Sequence, residues 1–549
     1  MTIYRKYTDR FQTPQGEVIP GRESKMERNA AGGFVFTLDE WSRLDRFLIL
    51  GTEGGTYYTS ERTLTKENAK NLEWCIADDG QRVVRTIVEV SKGGRAPKND
   101  AALFALAMAA GLGDVATRRS ALEALPEVAR IGTHLFQFAE FVEGFRGWGR
   151  GLRNAVAGWY ENLSPNNLQY QLVKYQSRYG WSHRDLMRLS HPRPTSPVQD
   201  TVFNYVTFHN SDDPDRVIRY NQVISEIQEN KNGSLTLLQG VELLKSTEDP
   251  KAAASFISQY NLPREVVPTE FLNNTAVWEA LLEKMPMTAL IRNLGKLSSL
   301  GLLAQGNFDV VGRVTSQITN EEQLRKARVH PISILVALET YKTGHGLRGS
   351  LEWTPVPDVM DALDSAFYMA FDNVEPSNKR TYIGLDVSGS MGFSTIAGTP
   401  LTPATAAAAM CMVTYKTEPF VVVRGFSSSL KTINFSRKSR LDDVLAATRD
   451  QNFGSTDCAL PMLDSMDSGI AIDTFIVYTD NETWAGQRMH PSQALEAYRK
   501  KTGIDAKLIV VGMTATNVSI ADPMNVGMLD VVGFDTSTPQ VISQFSAGL

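Results

Sequence analysis

Tyr382-Ile383-Gly384-Leu385-Asp386-Val387-Ser388-Gly389-Ser390 decides how the rear third of this chain is read. A short apolar run leads into D-x-S-x-S, a pattern in which Asp386, Ser388 and Ser390 alternate. A loop at the carboxyl end of a strand can turn those three oxygens towards one point. Carboxylate and hydroxyl oxygens are the ligands that hard cations such as Mg2+ prefer. Two later oxygens complete the set. Thr456 sits in Gly454-Ser455-Thr456-Asp457, and Asp480 ends a second apolar run, Phe475-Ile476-Val477-Tyr478-Thr479. The competing account is an ordinary Asp/Ser/Gly turn. Three separated segments, two at strand ends and one in a loop, following in order on an α/β pattern, favour the metal site.

Outward from that stretch, the residues after Pro376-Ser377-Asn378 alternate in character. β-rich runs at Thr381–Leu385, Phe420–Gly425, Thr474–Tyr478, Lys507–Val511 and Leu529–Gly533 are separated by helical stretches. The latter are Pro403–Thr417, Leu460–Met466, Pro491–Lys501 and Pro539–Phe545. The pattern predicts a doubly wound, mostly parallel sheet, with ligands at the carboxyl ends of its strands. From about Leu38 to Phe371 the rhythm is helical instead, with apolar residues recurring at three and four in segments such as Leu103–Ala110, His134–Val142 and Leu290–Leu303. Short breaks such as Asp213-Pro214 and Asp249-Pro250 divide them. Helix pairs stacked as a solenoid fit this row. No clean period is visible, so a non-repetitive helical domain stays open. The expected fold is multidomain α plus α/β, with helices over 1–370 and the α/β domain over 371–549.

At 549 residues the chain exceeds one core, and its 42% hydrophobic and 21% charged content is that of a soluble globular protein. Met1–Asp9 is polar, and no apolar run approaches the roughly 18 residues of a membrane span. Cys75, Cys411 and Cys458 are far apart, which argues against structural zinc and for a reducing, cytoplasmic setting. A net charge of −5 predicts no nucleic-acid affinity by itself. Its distribution does. Between Gly144 and Pro194, Arg146, Arg150, Arg153, Lys174, Arg178, Arg184, Arg188 and Arg193 face only Glu161 and Asp185, with His183 and His191 beside them. Phosphate neutralisation by Arg and Lys dominates nucleic-acid affinity. Lys174 and Arg178 are spaced to share a helix face. Trp148, Tyr175, Tyr179 and Trp181 are interleaved and could stack on unpaired bases, although Trp181 reads as a packing residue. The bland alternative is a solvated basic face over core aromatics. A second basic group comprises Arg292, Lys296, Arg325, Lys326, Arg328, Lys342 and Arg348. Helix-end roles compete there. His330 and His345 read as turn or packing residues.

Longer strings carry a resemblance. They include Gly51-Thr52-Glu53-Gly54-Gly55-Thr56-Tyr57-Tyr58, Gly180-Trp181-Ser182-His183-Arg184-Asp185-Leu186 and Arg188-Leu189-Ser190-His191. Further on come Met287–Lys296, Ala337–Gly349 and Tyr478-Thr479-Asp480-Asn481-Glu482-Thr483. Together they run through nearly the whole chain, which resembles the Ro ribonucleoprotein autoantigen family. Its members join a HEAT-like helical-repeat ring, the TROVE domain, to a Rossmann-like von Willebrand factor A domain. A bacterial-type member is expected, although the family occurs in animals too. The resemblance implies an RNA-binding protein active in RNA quality control or as a processing scaffold, and monomeric. Y RNA would sit on the outer surface of the ring and 3′ ends of misfolded RNAs in its hole. An exoribonuclease is a possible associate. It implies Y RNA contacts at Lys174, Arg178 and His191, with Arg150, Arg153, Arg184 and Arg188 on the same basic stretch. Arg292 and Lys296 are expected to help line the hole. It further implies a metal-ion-dependent adhesion site at Asp386, Ser388, Ser390, Thr456 and Asp480, holding Mg2+ and receiving an acidic residue from a protein partner. The stretch before Thr37 shows no motif that matches the family, and Ser246–Pro268 reads as variable.

The rival class is a metal-dependent ribonuclease. Such sites gather several carboxylates around two ions, whereas Ser388, Ser390 and Thr456 offer neutral oxygens. No G-x-S-x-G elbow, P-loop, H-E-x-x-H or spaced His/Cys cluster is present. The expectation is a binding protein and not an enzyme.

Overall fold

The fold comes from a computed structural model that describes residues 13–14, 17–20, 23, 26–28, 34–36, 40–50, 70–93, 99–210, 212–231, 233–347, 349–392, 395–396, 399–449, 456–480, 489–513, 520–522, 525, 527–532 and 538–547. The string from Gly51 to Tyr58, Asn481–Thr483, Arg348, Gly454 and Ser455 lie outside them. The chain divides into two compact units. One comprises Met1–Asn71, Arg95–Pro97 and Phe308–Leu549, and the other Leu72–Gly94 and Lys98–Asn307. The division does not follow the change of rhythm near 370. Periodicity reports local conformation, whereas the last helices before the sheet pack with a helix of the α/β domain: helix Pro331–Lys342 contacts both Pro357–Met369 and Pro403–Thr417.

The first unit opens with a short antiparallel pair, β1 (Met26–Arg28) and β2 (Phe34–Phe36). The second is helical except for β3 (Ser177–Arg178) and β4 (Trp181–Ser182), which form a hairpin. Its helices pack chiefly on near neighbours in sequence, as in Asp100–Leu112 on Gly132–Phe145 and Pro250–Tyr260 on Thr275–Leu282. Helix Asp100–Leu112 is buried on all sides from Ala101 to Gly111, as its Ala-rich composition predicts. Pro at the first helical position, after a side chain that accepts a backbone N–H, starts helix after helix: Ser164-Pro165, Ser196-Pro197, Asp213-Pro214 and Asp249-Pro250. His330-Pro331 and His490-Pro491 do the same in the first unit, with the imidazole Nδ1 accepting the N–H.

The α/β domain is built on β5 (Thr381–Asp386), β6 (Val421–Phe426), β7 (Leu430–Thr432), β8 (Thr474–Thr479), β9 (Lys507–Gly512) and β10 (Met528–Val532). Their order is β10-β9-β8-β5-β6-β7, parallel except for the antiparallel edge strand β7. Every residue of β5 and β8 is buried, which explains why both read as unbroken apolar runs. Tyr382, Phe475 and Tyr498 pack ring against ring in the core, and each such side chain contributes roughly 1.5–3 kcal/mol by leaving water. Gly384 is required in mid-strand, because an added Cβ would lie 2.7 Å from Cγ of Pro461. The connection from the helices to β5 is pinned by the buried Glu418 carboxylate, which accepts the Ser377 hydroxyl at 2.6 Å and the Asn378 N–H at 2.9 Å.

Candidate functional site

Successive strands leave β5 in opposite directions, so the crevice between β5 and β8 lies at the switch point of the sheet, where such folds bind ligands. Asp386 ends β5, and Asp480 directly follows β8. Asp386 is 4% exposed. Its Oδ1 accepts the Ser388 N–H at 2.9 Å, and its Oδ2 accepts the hydroxyls of Thr479 at 2.9 Å and Thr456 at 3.4 Å. The Ser388 and Ser390 hydroxyls lie 3.0 Å apart. Ser388, Thr456 and Asp480 are buried, and Ser390 is exposed. Burial pushes the Asp386 carboxyl up to about 6. The Ser388 contacts oppose that rise, the charge of Asp480 adds to it, and the Thr479 hydroxyl opposes it again. The site therefore concentrates negative charge that a bound cation would relieve.

Asp386, Ser388, Ser390 and Thr456 are linked through these hydrogen bonds, and Asp480 faces them electrostatically. The donor set is rich in neutral hydroxyls, and it fits a single hard cation. Among the described residues no group of three or more His, Cys, Asp or Glu side chains gathers to hold a metal. Thr479 escaped the sequence reading. Its position as the last strand residue before Asp480 was the available signal.

The basic stretch occupies consecutive elements of the helical unit. Arg150 and Arg153 stand in the first turn of helix Arg150–Glu161 and are exposed. The helix dipole disfavours cations there, so helix stability does not account for them. Helix Pro165–Lys174 ends at Lys174, and Arg178 lies on β3. The two therefore do not share a helix face, because Tyr175 leaves helical geometry at the C-cap. Lys174 instead donates to Tyr170 Oη at 2.8 Å, with its Nζ 5.2 and 5.6 Å from the ring centres of Tyr170 and Tyr175. Burial opposes its charge most strongly, but the Tyr170 hydrogen bond together with the charges of Tyr175, Tyr170 and Glu265 outweighs it and raises the ammonium above its ordinary value. Arg178 is exposed, 5.8 Å over the Tyr179 ring.

β3 and β4 are joined by Tyr179-Gly180, both at positive φ (55° and 77°), the geometry of a tight two-residue hairpin. Helix His183–Ser190 follows, opened by a Ser182–Asp185 capping box, and it carries Arg184 and Arg188. Arg184 donates to the Asn210 carbonyl, and Arg188 is exposed. His191 is exposed and closes the helix in the left-handed region. Among the described residues no carboxylate pairs with Arg150, Arg153, Lys174, Arg178, Arg184 or Arg188, whereas Lys245 and Arg219 elsewhere in this unit are paired.

His183 does not join this face. It is fully buried, 4.6 Å from the Phe136 ring, with Tyr160 Oη 2.8 Å from Nδ1 and the Gln171 carbonyl 3.3 Å from Nε2. The carbonyl can only accept, so Nε2 carries the proton and Nδ1 accepts from Tyr160. Trp181 packs on Trp148, ring centres 5.5 Å apart.

Arg292 and Lys296 are one turn apart on helix Met287–Ser299, with Arg292 exposed and Lys296 donating to Asn273 Oδ1. Arg325, Lys326, Arg328 and Lys342 belong to the other compact unit. Arg325 and Lys326 end a helix, and Lys342 pairs with Glu339. Helix-end roles suffice for these three.

Comparison with known proteins gives this geometry a lineage. The TROVE domain model matches residues 27–343, and the Ro60 vWA domain model matches 380–546. Two curated relatives, each called RNA-binding protein RO60, align almost end to end. The Deinococcus radiodurans protein is 39% identical over 97% of both chains. The Caenorhabditis elegans protein is 35% identical over 96% of this chain and 91% of its own. The crystal structure of the Deinococcus radiodurans RO (RSR) protein superposes with a TM-score of 0.81, covering 93% of this chain and 100% of that one. The chain belongs to the Ro60 family, with a TROVE domain followed by a Ro60-type von Willebrand factor A domain.

Proposed function

We propose that this chain is a cytoplasmic, monomeric RNA-binding protein, with a helical RNA-binding portion over 1–370 and a non-catalytic grip over 371–549. The observation that carries this reading is the set of cations left without carboxylate partners, among the described residues, on the consecutive elements from Arg150 to His191. Unpaired Arg and Lys at a protein surface are available to replace the counterions of a phosphate backbone. The names of both curated relatives support the same assignment.

In this account Lys174, Arg178 and His191 hold a small structured RNA of the Y type, with Arg150, Arg153, Arg184 and Arg188 beside them. Arg292 and Lys296 meet the single-stranded 3′ end of misfolded RNA at the hole of the helical ring. The protein thereby sorts defective RNA or presents it to an associated exoribonuclease. Asp386, Ser388, Ser390, Thr456 and Asp480 would hold Mg2+, whose open coordination position would receive a carboxylate from a protein partner. Thr479 and the Ser388 N–H orient Asp386 for that role.

The test is a titration with a small hairpin RNA, with and without a single-stranded 3′ tail, in Mg2+, followed by gel analysis of the RNA. Binding of intact RNA, tighter with the tail, is the expected result. Absence of binding contradicts the assignment, and shortening of the RNA without added nuclease replaces it with the ribonuclease reading.

A further inference from the structure

Resting on the RNA-binding reading, we infer that the hairpin tip borders a pocket selective for one unpaired guanine base. An open surface depression of about 480 Å3 lies against Glu140, Glu143, Tyr179, Trp181, Asp185 and Arg188, large enough to receive a single base. Its walls differ in chemistry from the cations around it. Tyr179 is exposed at the tip of the hairpin, although a tyrosine in a core would normally be covered. Trp181 is held in place by Trp148 behind it. Two aromatic side chains thus border the opening, and such side chains are what unpaired bases stack on.

The polar lining decides which base. Glu140 and Glu143 lie three residues apart on helix Gly132–Phe145, exposed and without cationic partners among the described residues. Asp185 spends Oδ2 on the Ser182 cap. Carboxylates only accept hydrogen bonds, so an occupant must present donors, and a phosphate is repelled. Phosphates are left to Arg178, outside the opening. Arg188 only donates, so the occupant must present acceptors on another side. Guanine meets both demands: N1–H and the N2 amine form adjacent donors, while O6 and N7 are the acceptor pair that Arg reads. Uracil would set two carbonyl oxygens against the carboxylates. Adenine and cytosine each offer a single amino group there.

The test uses short uridine strands carrying one central guanosine, inosine or adenosine, titrated against the full-length protein. The wild type binds the guanosine strand about ten-fold more tightly than the adenosine strand, with inosine, which lacks the N2 amine, between them. The Glu140→Ala/Glu143→Ala variant, on an exposed helix face that Ala suits, brings the three strands to parity while all-uridine binding persists. Equal affinity of the wild type for all strands overturns the pocket and leaves the RNA-binding reading standing. If no strand binds at all, both fall. A base preference that survives in the variant also overturns the assignment, as does competition by an arginine-rich peptide with no preference among the strands.

Discussion

Acidification should loosen the helical unit through His183, and the size of the effect follows from its surroundings. The side chain is fully buried among Phe136, Trp159 and Tyr160, and burial depresses its pKa to about 3 from an ordinary 6.5. Because the folded value lies below the unfolded one, the stabilisation is complete above pH 6.5 and declines as the pH falls from there towards 3. At pH 5 the unfolded chain gains about 2 kcal/mol by taking up the proton that the folded state refuses. That figure depends mainly on the unfolded value, since pH 5 is still well above the folded one. His134, depressed to about 4 by burial and by Arg130, adds a loss of similar size. The consequence reaches function, because His183 begins the helix that carries Arg184 and Arg188. Urea unfolding followed by tryptophan fluorescence at pH 7 and pH 5 measures the loss. Wild type should lose about 2 kcal/mol more between them than His183→Gln. An equal loss in both proteins would refute the assignment of His183 as a buried neutral imidazole.

Three further outcomes follow. Asp386→Ala should abolish Mg2+-dependent capture of an acidic partner while RNA affinity stays within two-fold; equal loss of both would contradict separate roles. Thr479→Val removes a hydroxyl that donates to Asp386 Oδ2 at 2.9 Å, and calorimetry should show Mg2+ affinity about ten-fold weaker, whereas unchanged affinity would remove Thr479 from the site. Gly180→Ala places a Cβ at φ +77°, costing roughly 1–2 kcal/mol; amide exchange across Ser177–Ser182 should quicken, and unaltered protection would argue against the turn geometry.

Much of the α/β domain was legible in the sequence because β5 and β8 are buried along their whole length, so nothing polar interrupts them. Their predicted ends placed Asp386 and Asp480 correctly at the carboxyl edge. The breaks read at Asp213-Pro214 and Asp249-Pro250 fall at helix starts, where the Asp side chain caps the first turn. Short elements were not legible. β3, β4 and the edge strand β7 have two or three residues each, too few for a period to show. The error at Lys174 and Arg178 arises because their spacing mimics a helix turn across a helix end, and the two-residue strand that follows leaves no period to mark it. His183 misled because it sits in a run of charged residues, yet its neighbours in space are aromatic. Which helices pack together, and hence where the units divide, depends on contacts that no local pattern records.

Central to the proposed function is the action of the cations from Arg150 to His191, without carboxylate partners among the described residues, as phosphate ligands. Measuring RNA affinity across a salt series, for wild type and for Lys174→Ala/Arg178→Ala, tests that most directly. Wild type should show log affinity falling linearly and steeply with log salt. The variant should bind more weakly, with a slope smaller by about 1.8, because each neutralised phosphate contributes about 0.9 to it. An affinity insensitive to salt, or a slope unchanged by removing both cations, would contradict it.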